Sequence, residues 1–182
     1  ERLATRGPKL RDFPRALPPR VVAPLEVAVD RKGQAAGYTM KLVRAAEPLH
    51  RWAEPAFRRA IPPAAVTPLF TDLLSTVARV HEAGAVIGDF NDLNVLAAAG
   101  LAFLIDADSF QFGPHPCLAY TERFVDPLCC SPVELKPVAY HSSASDWYAY
   151  DVLLFQSLLF VHPYGGVLPR PGRPCDPALG RV

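Results

Sequence analysis

The sequence predicts an α+β domain, in which strands come first along the chain and long helices follow. Two apolar segments flank a glycine turn near the N-terminus, and two longer segments downstream carry apolar residues at helical spacing. The chain has 182 residues, of which 50% are hydrophobic and 20% are charged. This length and composition allow one domain with a hydrophobic core, and the element order favours α+β over an alternating α/β fold.

Composition excludes several classes of partner. The formal net charge is +1, and no block of Lys and Arg indicates a surface for nucleic acid or for an acidic membrane. The longest apolar segment, residues 148–161, includes Asp151 and Gln156 and is too short to cross a bilayer. No signal peptide is recognisable, and the four cysteines form no C-x-x-C pair, which favours free thiols. We therefore expect a cytoplasmic protein with no membrane partner and no nucleic-acid partner, and the sequence indicates no oligomeric state.

The first elements lie between two proline-rich ends. The 20 prolines concentrate near the two termini, so residues 7–20 and 162–177 are expected to be irregular. Residues 21–43 predict an antiparallel hairpin that turns at Gly33. Residues 46–60 predict a short amphipathic helix.

A long helix and two short strands are predicted in the middle of the chain. The helix is expected to begin at Thr67, as its N-cap, and to end before Gly84. The short apolar segments 85–90 and 101–108 predict two strands that pair with each other. A last helix, apolar on nearly every face and therefore buried, is predicted over residues 147–160, with Ser145 or Asp146 as its N-cap.

Polar side chains lie within the two predicted central strands and in the loop that follows the first of them. They are the carboxylates and amides of Asp89, Asn91, Asp92, Asn94, Asp106 and Asp108. Burying carboxylates beside a core is unfavourable unless something compensates their charge. Because the two strands should pair, Asp89, Asn94 and Asp106 are expected at one edge. A few hard oxygen ligands, with room for water and phosphate oxygens, are what Mg²⁺ takes when it binds with a nucleotide.

Four motifs in order resemble the landmarks of a protein kinase C-lobe. The segment "IGDFNDLN" (87–94) resembles the catalytic loop, and "IDAD" (105–108) resembles the metal-binding D-F-G. Further on, "SPVEL" (131–135) resembles the end of the activation segment, and Asp146 stands where kinases have the aspartate that opens a buried central helix. Over residues 21–166 the sequence is similar to a bacterial eukaryotic-like kinase family that is often fused to helix-hairpin-helix modules or found near tellurite-resistance genes.

The resemblance implies a partial kinase fold, mainly the helical C-lobe with a remnant N-lobe hairpin. Residues 1–43 would be the N-lobe remnant with the hairpin and hinge, and residues 44–166 would be the C-lobe. Residues 167–182 would be a Pro-rich, truncated tail. No glycine-rich loop and no lysine strand precede residue 21, so we expect the 182-residue fragment alone to transfer no phosphate.

The resemblance also implies roles for individual residues. Asp89 would orient the substrate hydroxyl and accept its proton, and Asn91 stands where the lysine that contacts the transferred phosphate usually stands. Asn94 and Asp106 would hold the metal ions on the phosphates of ATP, with Mg²⁺ or alternatively Mn²⁺. The residues implied beside adenine are Tyr38, Thr39, Met40 and Lys41, and those implied as structural are Glu134 and Asp146.

Three departures from the kinase pattern keep other functions open. Ile87 and Gly88 replace the His-Arg pair, Asn91 replaces the lysine, and Ala107-Asp108 replaces Phe-Gly. Slow or absent catalysis is therefore expected. The first hypothesis is a Ser/Thr-directed protein kinase that acts on an unidentified protein substrate. The alternatives are a pseudokinase or interaction module, and a small-molecule phosphotransferase of the aminoglycoside-kinase type. Because Gly88 cannot pair with a phosphate, we also expect no phosphorylation switch that acts through this position.

Overall fold

The computed structural model describes residues 2–131 and 140–164. In these residues the chain has the mixed α+β character that the sequence predicts. The helices are α1 (Arg2–Arg11), α2 (Pro55–Arg58), α3 (Val66–Glu82) and α4 (Ser143–Leu159). The strands are β1 (Pro24–Val29), β2 (Ala35–Met40), β3 (Glu47–Pro48), β4 (Ala85–Val86), β5 (Val95–Ala98), β6 (Leu101–Leu104) and β7 (Gln111–Phe112).

The strands form small antiparallel sheets. The hairpin β1–β2 confirms the hairpin predicted for residues 21–43, β3, β5 and β6 form a second sheet in the order β3-β5-β6, and β4 pairs with β7. The core lies between these last two sheets and the long helices α3 and α4, and its largest fully buried side chains include Phe70, Phe90, Phe110 and Leu153. Within the described ranges, no helix combines the length and the apolar character that crossing a membrane requires.

The predicted pairing of the two central strands is wrong. The segment that begins at Ala85 pairs with Gln111–Phe112, and the segment that begins at Leu101 pairs with Val95–Ala98. The reason is the turn at Ala99 and Gly100, where both residues have positive φ, 51° and 77°. A two-residue turn of this kind matches the twist of a hairpin, so β5 and β6 pair locally.

Two predicted helices differ in their details. Residues 46–60 do not form one helix. The two-residue strand β3 is followed by the 3₁₀ turn Leu49–Ala53 and by the short helix α2. Pro48 and Pro55 lack the N–H that a continuous helix needs, which explains the breaks. The long helix begins at Val66, directly after the 3₁₀ turn Pro63–Ala65, so that Thr67 lies inside it and is not its N-cap.

Helix α4 begins earlier than the sequence predicts. Its N-cap is Ser142, whose hydroxyl accepts the backbone N–H of Ser145, while the Ser145 hydroxyl accepts the N–H of Ser142. This reciprocal capping satisfies two N–H groups that the first helical turn leaves without partners. Asp146 is therefore not the cap, and its carboxylate is available for contacts outside α4.

Part of the N-terminal proline-rich segment is helical, contrary to the prediction for residues 7–20. Helix α1 includes Pro8, and the chain becomes irregular only after Arg11. Contacts with the body of the protein explain the helix, because Leu10 is buried and Lys9 donates to the carbonyl oxygens of Ser109 and Pro116. The tail predicted for residues 167–182 lies outside the described residues.

Candidate active site

A cavity of about 540 Å³ lies between β2, the segment after β2 and the ends of the β5–β6 hairpin. Its walls combine apolar side chains with one polar edge, and they are formed by Val22, Tyr38, Met40, Lys41, Leu42, Val43, Asn94, Leu96, Ile105 and Asp106. Mostly apolar walls with a few polar groups are typical of small-molecule sites. Three of the residues implied beside adenine therefore share one cavity with both residues implied as metal ligands.

Thr39 is the one residue of the predicted adenine set that the cavity wall does not include. Successive side chains of a strand lie on opposite faces, so Tyr38 and Met40 share a face that Thr39 does not. The Thr39 hydroxyl oxygen instead accepts the backbone N–H of Glu26 at 3.2 Å, across the hairpin. Its observed contact is with the neighbouring strand.

Backbone hydrogen bonds bring Asn94 and Asp106 to the same edge. The carbonyl oxygen of Asn94 accepts the N–H of Ile105 at 2.9 Å, so the residue before Asp106 is paired directly with Asn94. Asp106 has a left-handed backbone with φ of 57°. Ser109 stabilises this turn, because its N–H and its hydroxyl donate to the Asp106 carbonyl oxygen at 3.0 and 2.8 Å.

The donor set at this edge fits a particular kind of cation site. Within the described residues, no group of three or more His, Cys, Asp or Glu side chains is arranged to hold a metal ion. Asn94 and Asp106 offer one amide oxygen and one carboxylate. Mg²⁺ is commonly bound through one or two carboxylates together with phosphate oxygens and water. The pair therefore suits a cation that arrives with a phosphate group better than a site built by the protein alone.

Asp89 lies in a network of side-chain hydrogen bonds with Asn91 and Thr121. The hydroxyl of Thr121 donates to Asp89 Oδ1 at 2.7 Å, and Asn91 Nδ2 donates to the same oxygen at 3.0 Å. Asn91 Nδ2 also lies 3.0 Å from Thr121 Oγ1, and Asn91 Oδ1 accepts the N–H groups of Leu93 and Asn94. Asn91 is only 4% exposed, so its amide holds the loop from inside.

Asp146 fixes the backbone just before Asp89. Its carboxylate is fully buried and accepts the N–H groups of Ile87 and Gly88 at 2.8 and 2.9 Å. His81 Nε2 lies 2.8 Å from the same carboxylate. These contacts join the end of α3, the first turn of α4 and the loop that carries Asp89.

Gly88 occupies a position where no side chain fits. Its φ is 78°, and an added Cβ would lie 2.6 Å from Cys117 Sγ and 3.2 Å from His141 Cδ2. His141 Nε2 lies 3.0 Å from the carbonyl oxygen of Ala119. This contact holds the segment that contains Cys117 and Ala119 against the loop that carries Asp89. Burial raises the pKa of the Cys117 thiol, so the thiol acts here as a neutral packing group. The space that an arginine would need at this position is filled by protein.

A second link joins the loop to the segment after Thr121. Asp92 is buried, and its carboxylate lies 3.2 Å from Arg123 Nη2. Burial raises the pKa of Asp92, and the attraction of Arg123 and His50 offsets this only in part. Because Asp92 and Asn91 contact Arg123 and Thr121, the loop and this segment support each other.

Several contacts have no signal in the sequence. Thr121 and His141 lie in or beside a stretch without periodicity, so sequence reasoning missed them. Tyr38 was expected beside adenine, and its hydroxyl also donates to Asp108 Oδ1 at 2.6 Å. Glu134 and the rest of the motif at 132–135 lie outside the described residues.

Comparison with known proteins adds a distant relationship. The sequence is 31% identical to Protein kinase YegI of Escherichia coli O157:H7 over 146 residues, which cover 75% of this chain and 23% of the relative. The protein of the same name from Escherichia coli strain K12 is 30% identical over 146 residues, with 75% of this chain and 22% of the relative covered. The chain thus spans less than a quarter of the length of these relatives. No family model matches the sequence. The two similarities support a kinase-like family, and no finer assignment follows from them.

Proposed function

We propose that the full-length protein transfers the γ-phosphate of ATP to a Ser or Thr hydroxyl of a protein substrate. The observation that carries this proposal is the shared cavity, whose walls include Asn94 and Asp106 together with Tyr38, Met40 and Lys41. Its volume of about 540 Å³ suits a nucleotide-sized ligand. The similarity to proteins named protein kinase supports the same reading.

The side chains divide the work between binding and proton transfer. The apolar wall formed by Val22, Leu96 and Ile105 would hold the adenine ring, and Asn94 and Asp106 would hold Mg²⁺. When bound, Mg²⁺ would supply charge neutralisation for the phosphate groups. Asp89 would orient the substrate hydroxyl and accept its proton through Oδ2, since Oδ1 accepts from Thr121 and Asn91.

The protein substrate is proposed from the sequence downstream of this site. The segment "SPVEL" (131–135) and its spacing to Asp146 are typical of protein kinases and are not expected in a small-molecule phosphotransferase. We propose a Ser/Thr-directed protein kinase on that ground, and the aminoglycoside-kinase type remains the weaker enzyme reading.

A pseudokinase is a second candidate, and one observation favours it. The amide of Asn91 is engaged by Asp89 and Thr121 and is buried. At this position it brings no positive charge to a transferred phosphate, and such charge stabilisation is a large part of phosphoryl transfer. A protein with this loop could bind a nucleotide without transferring its phosphate.

A phosphotransfer assay on the full-length protein separates the two candidates. The protein is incubated with γ-labelled ATP, Mg²⁺ and a generic Ser/Thr-rich protein, and label transfer is compared with nucleotide binding by calorimetry. Transfer that falls at least about 100-fold in Asp89→Asn, with binding retained, supports the kinase. Asp106→Asn should weaken both. Asp151→Asn, an exposed aspartate on α4, is the matched control and should change neither.

The other outcomes of this assay also decide between the two candidates. Binding without transfer by the wild-type protein supports the pseudokinase, and neither binding nor transfer overturns both proposals. The 182-residue chain alone is expected to transfer no label, because it lacks the glycine-rich loop and the lysine that hold the phosphates in kinases.

A further inference from the structure

A side-chain hydrogen bond joins the hairpin β1–β2 to the turn that carries Asp106. The hydroxyl of Tyr38, on β2, donates to Asp108 Oδ1 at 2.6 Å. Asp108 is only 3% exposed, so its carboxylate depends on protein donors for solvation. Tyr38 also lines the cavity. The bond therefore lies where the hairpin wall of the cavity meets its polar edge.

The turn that carries Asp106 needs such support. A residue other than glycine with positive φ is strained by its Cβ, although aspartate tolerates this backbone better than most residues. The φ of Asp106 is 57°, and the 3₁₀ turn Ala107–Ser109 follows it at once. Further along this turn, Lys9 of α1 donates to the Ser109 carbonyl oxygen at 2.9 Å. The turn is thus held by hydrogen bonds from both β2 and α1.

The Tyr38–Asp108 hydrogen bond also stabilises the position of the hairpin. No side chain of β1 or β2 is buried, and Leu25 and Val29 are largely open to solvent, so burial of apolar surface stabilises the hairpin little. Moving the hairpin away would remove the Tyr38 hydroxyl from a buried carboxylate, and losing a charge-assisted hydrogen bond there is unfavourable. The bond favours the arrangement in which the hairpin covers Asn94 and Asp106.

We propose that Tyr38 and Asp108 are positioning residues, whose hydrogen bond couples the hairpin to the 106–110 turn and sets Asp106 for nucleotide binding. The last part rests on the proposed function. The coupling itself does not, because it concerns two parts of the protein without any ligand. Neither residue needs to touch the nucleotide phosphates for this role.

Hydrogen exchange of the full-length protein without nucleotide tests the coupling. In Tyr38→Phe, amides of residues 106–110 and of β2 should exchange about fivefold faster or more, since the hydroxyl is lost while the ring remains. Tyr140→Phe, at an exposed tyrosine, is the matched control and should leave both segments unchanged. Asp108→Asn should have a smaller effect than Asp108→Ala, because the amide oxygen can still accept from Tyr38.

A double variant makes the test specific to the pair. Tyr38→Phe combined with Asp108→Ala should exchange no faster at 106–110 than Asp108→Ala alone, because the bond is already absent. Additive acceleration, or equal exchange in Tyr38→Phe and the wild type, overturns the proposal. Should Tyr38→Phe fail to fold, Asp108→Asn against Asp108→Ala gives the same decision.

Calorimetry with Mg²⁺ and ATP then tests the positioning of Asp106. The Kd of Tyr38→Phe should be raised about fivefold or more relative to the wild type and to Tyr140→Phe. Faster exchange in Tyr38→Phe with no ATP binding by the wild type supports the coupling and overturns the proposed function. Wild-type binding with unchanged Kd in Tyr38→Phe overturns the positioning role and leaves the proposed function standing.

Discussion

The two sides of the cavity are held in place by different means. The loop with Asp89 is fixed from beneath by Asp146, a fully buried carboxylate that accepts two backbone N–H groups. The hairpin on the other side exposes Leu25 and Val29, which are 68% and 59% exposed, and it contacts the turn below it through polar groups such as Tyr38. Segments with few buried apolar contacts open at low free energy. The loop is therefore preorganised by the fold, whereas the hairpin, in which no side chain of β1 or β2 is buried, is held less firmly.

The largest expected effect comes from removing the support of the loop. Asp146→Ala leaves the buried N–H of Ile87 and the partly buried N–H of Gly88 without their acceptor, and it removes the carboxylate that His81 contacts. We expect a loss of about 3 to 5 kcal/mol in the free energy of unfolding, the range for breaking a buried charged contact. Urea unfolding measures it. Asp151→Ala, on the exposed side of the same helix, should change the free energy by less than about 0.5 kcal/mol, and an equal loss in both variants would contradict the preorganised loop.

A smaller effect is expected at Gly88, and Gly84 provides its control. Both glycines have positive φ, 78° and 75°, but an added Cβ meets Cys117 only at Gly88, since nothing lies within 4 Å at Gly84. Gly84→Ala should cost about 1 to 2 kcal/mol from backbone strain, and Gly88→Ala should cost more by about 1 to 3 kcal/mol for the overlap. Thermal melts of both variants measure the difference. Adding Cys117→Gly to Gly88→Ala should recover part of it, because the added Cβ meets both Sγ and Cβ of Cys117, at 2.6 and 2.7 Å. Equal melting temperatures for the two glycine variants would show that the loop yields easily.

The same contrast explains what the sequence could predict. Local patterns predicted the hairpin and the long helices, because periodicity and turn residues act over a few positions. The meeting of Asn94 and Asp106 was also expected, although through the wrong strand pairing. Of the supports of Asp89, Asp146 was implied as a structural residue, but Thr121 and His81 were not expected. Thr121 lies in a stretch without periodicity, and the helical pattern around His81 does not indicate its contact with Asp146. Nor does spacing tell which way a buried amide such as that of Asn91 lies, because packing decides it.

The smallest effect is expected on the hairpin, at Leu25. A buried leucine contributes several kcal/mol to the free energy of unfolding. Leu25 is 68% exposed, so its side chain buries little surface in the folded monomer. Leu25→Ser should therefore change the free energy of unfolding by less than about 0.5 kcal/mol. Exposed apolar side chains such as Leu25, Val29 and Met40 do favour association, so the variant should show less concentration-dependent self-association in sedimentation velocity. Leu74→Ser, at an exposed leucine of α3 that is 46% exposed, is the matched control and should leave association unchanged. A destabilisation above about 1 kcal/mol in Leu25→Ser would mean that the hairpin belongs to the cooperative core, and the contrast between the two sides of the cavity would then fail.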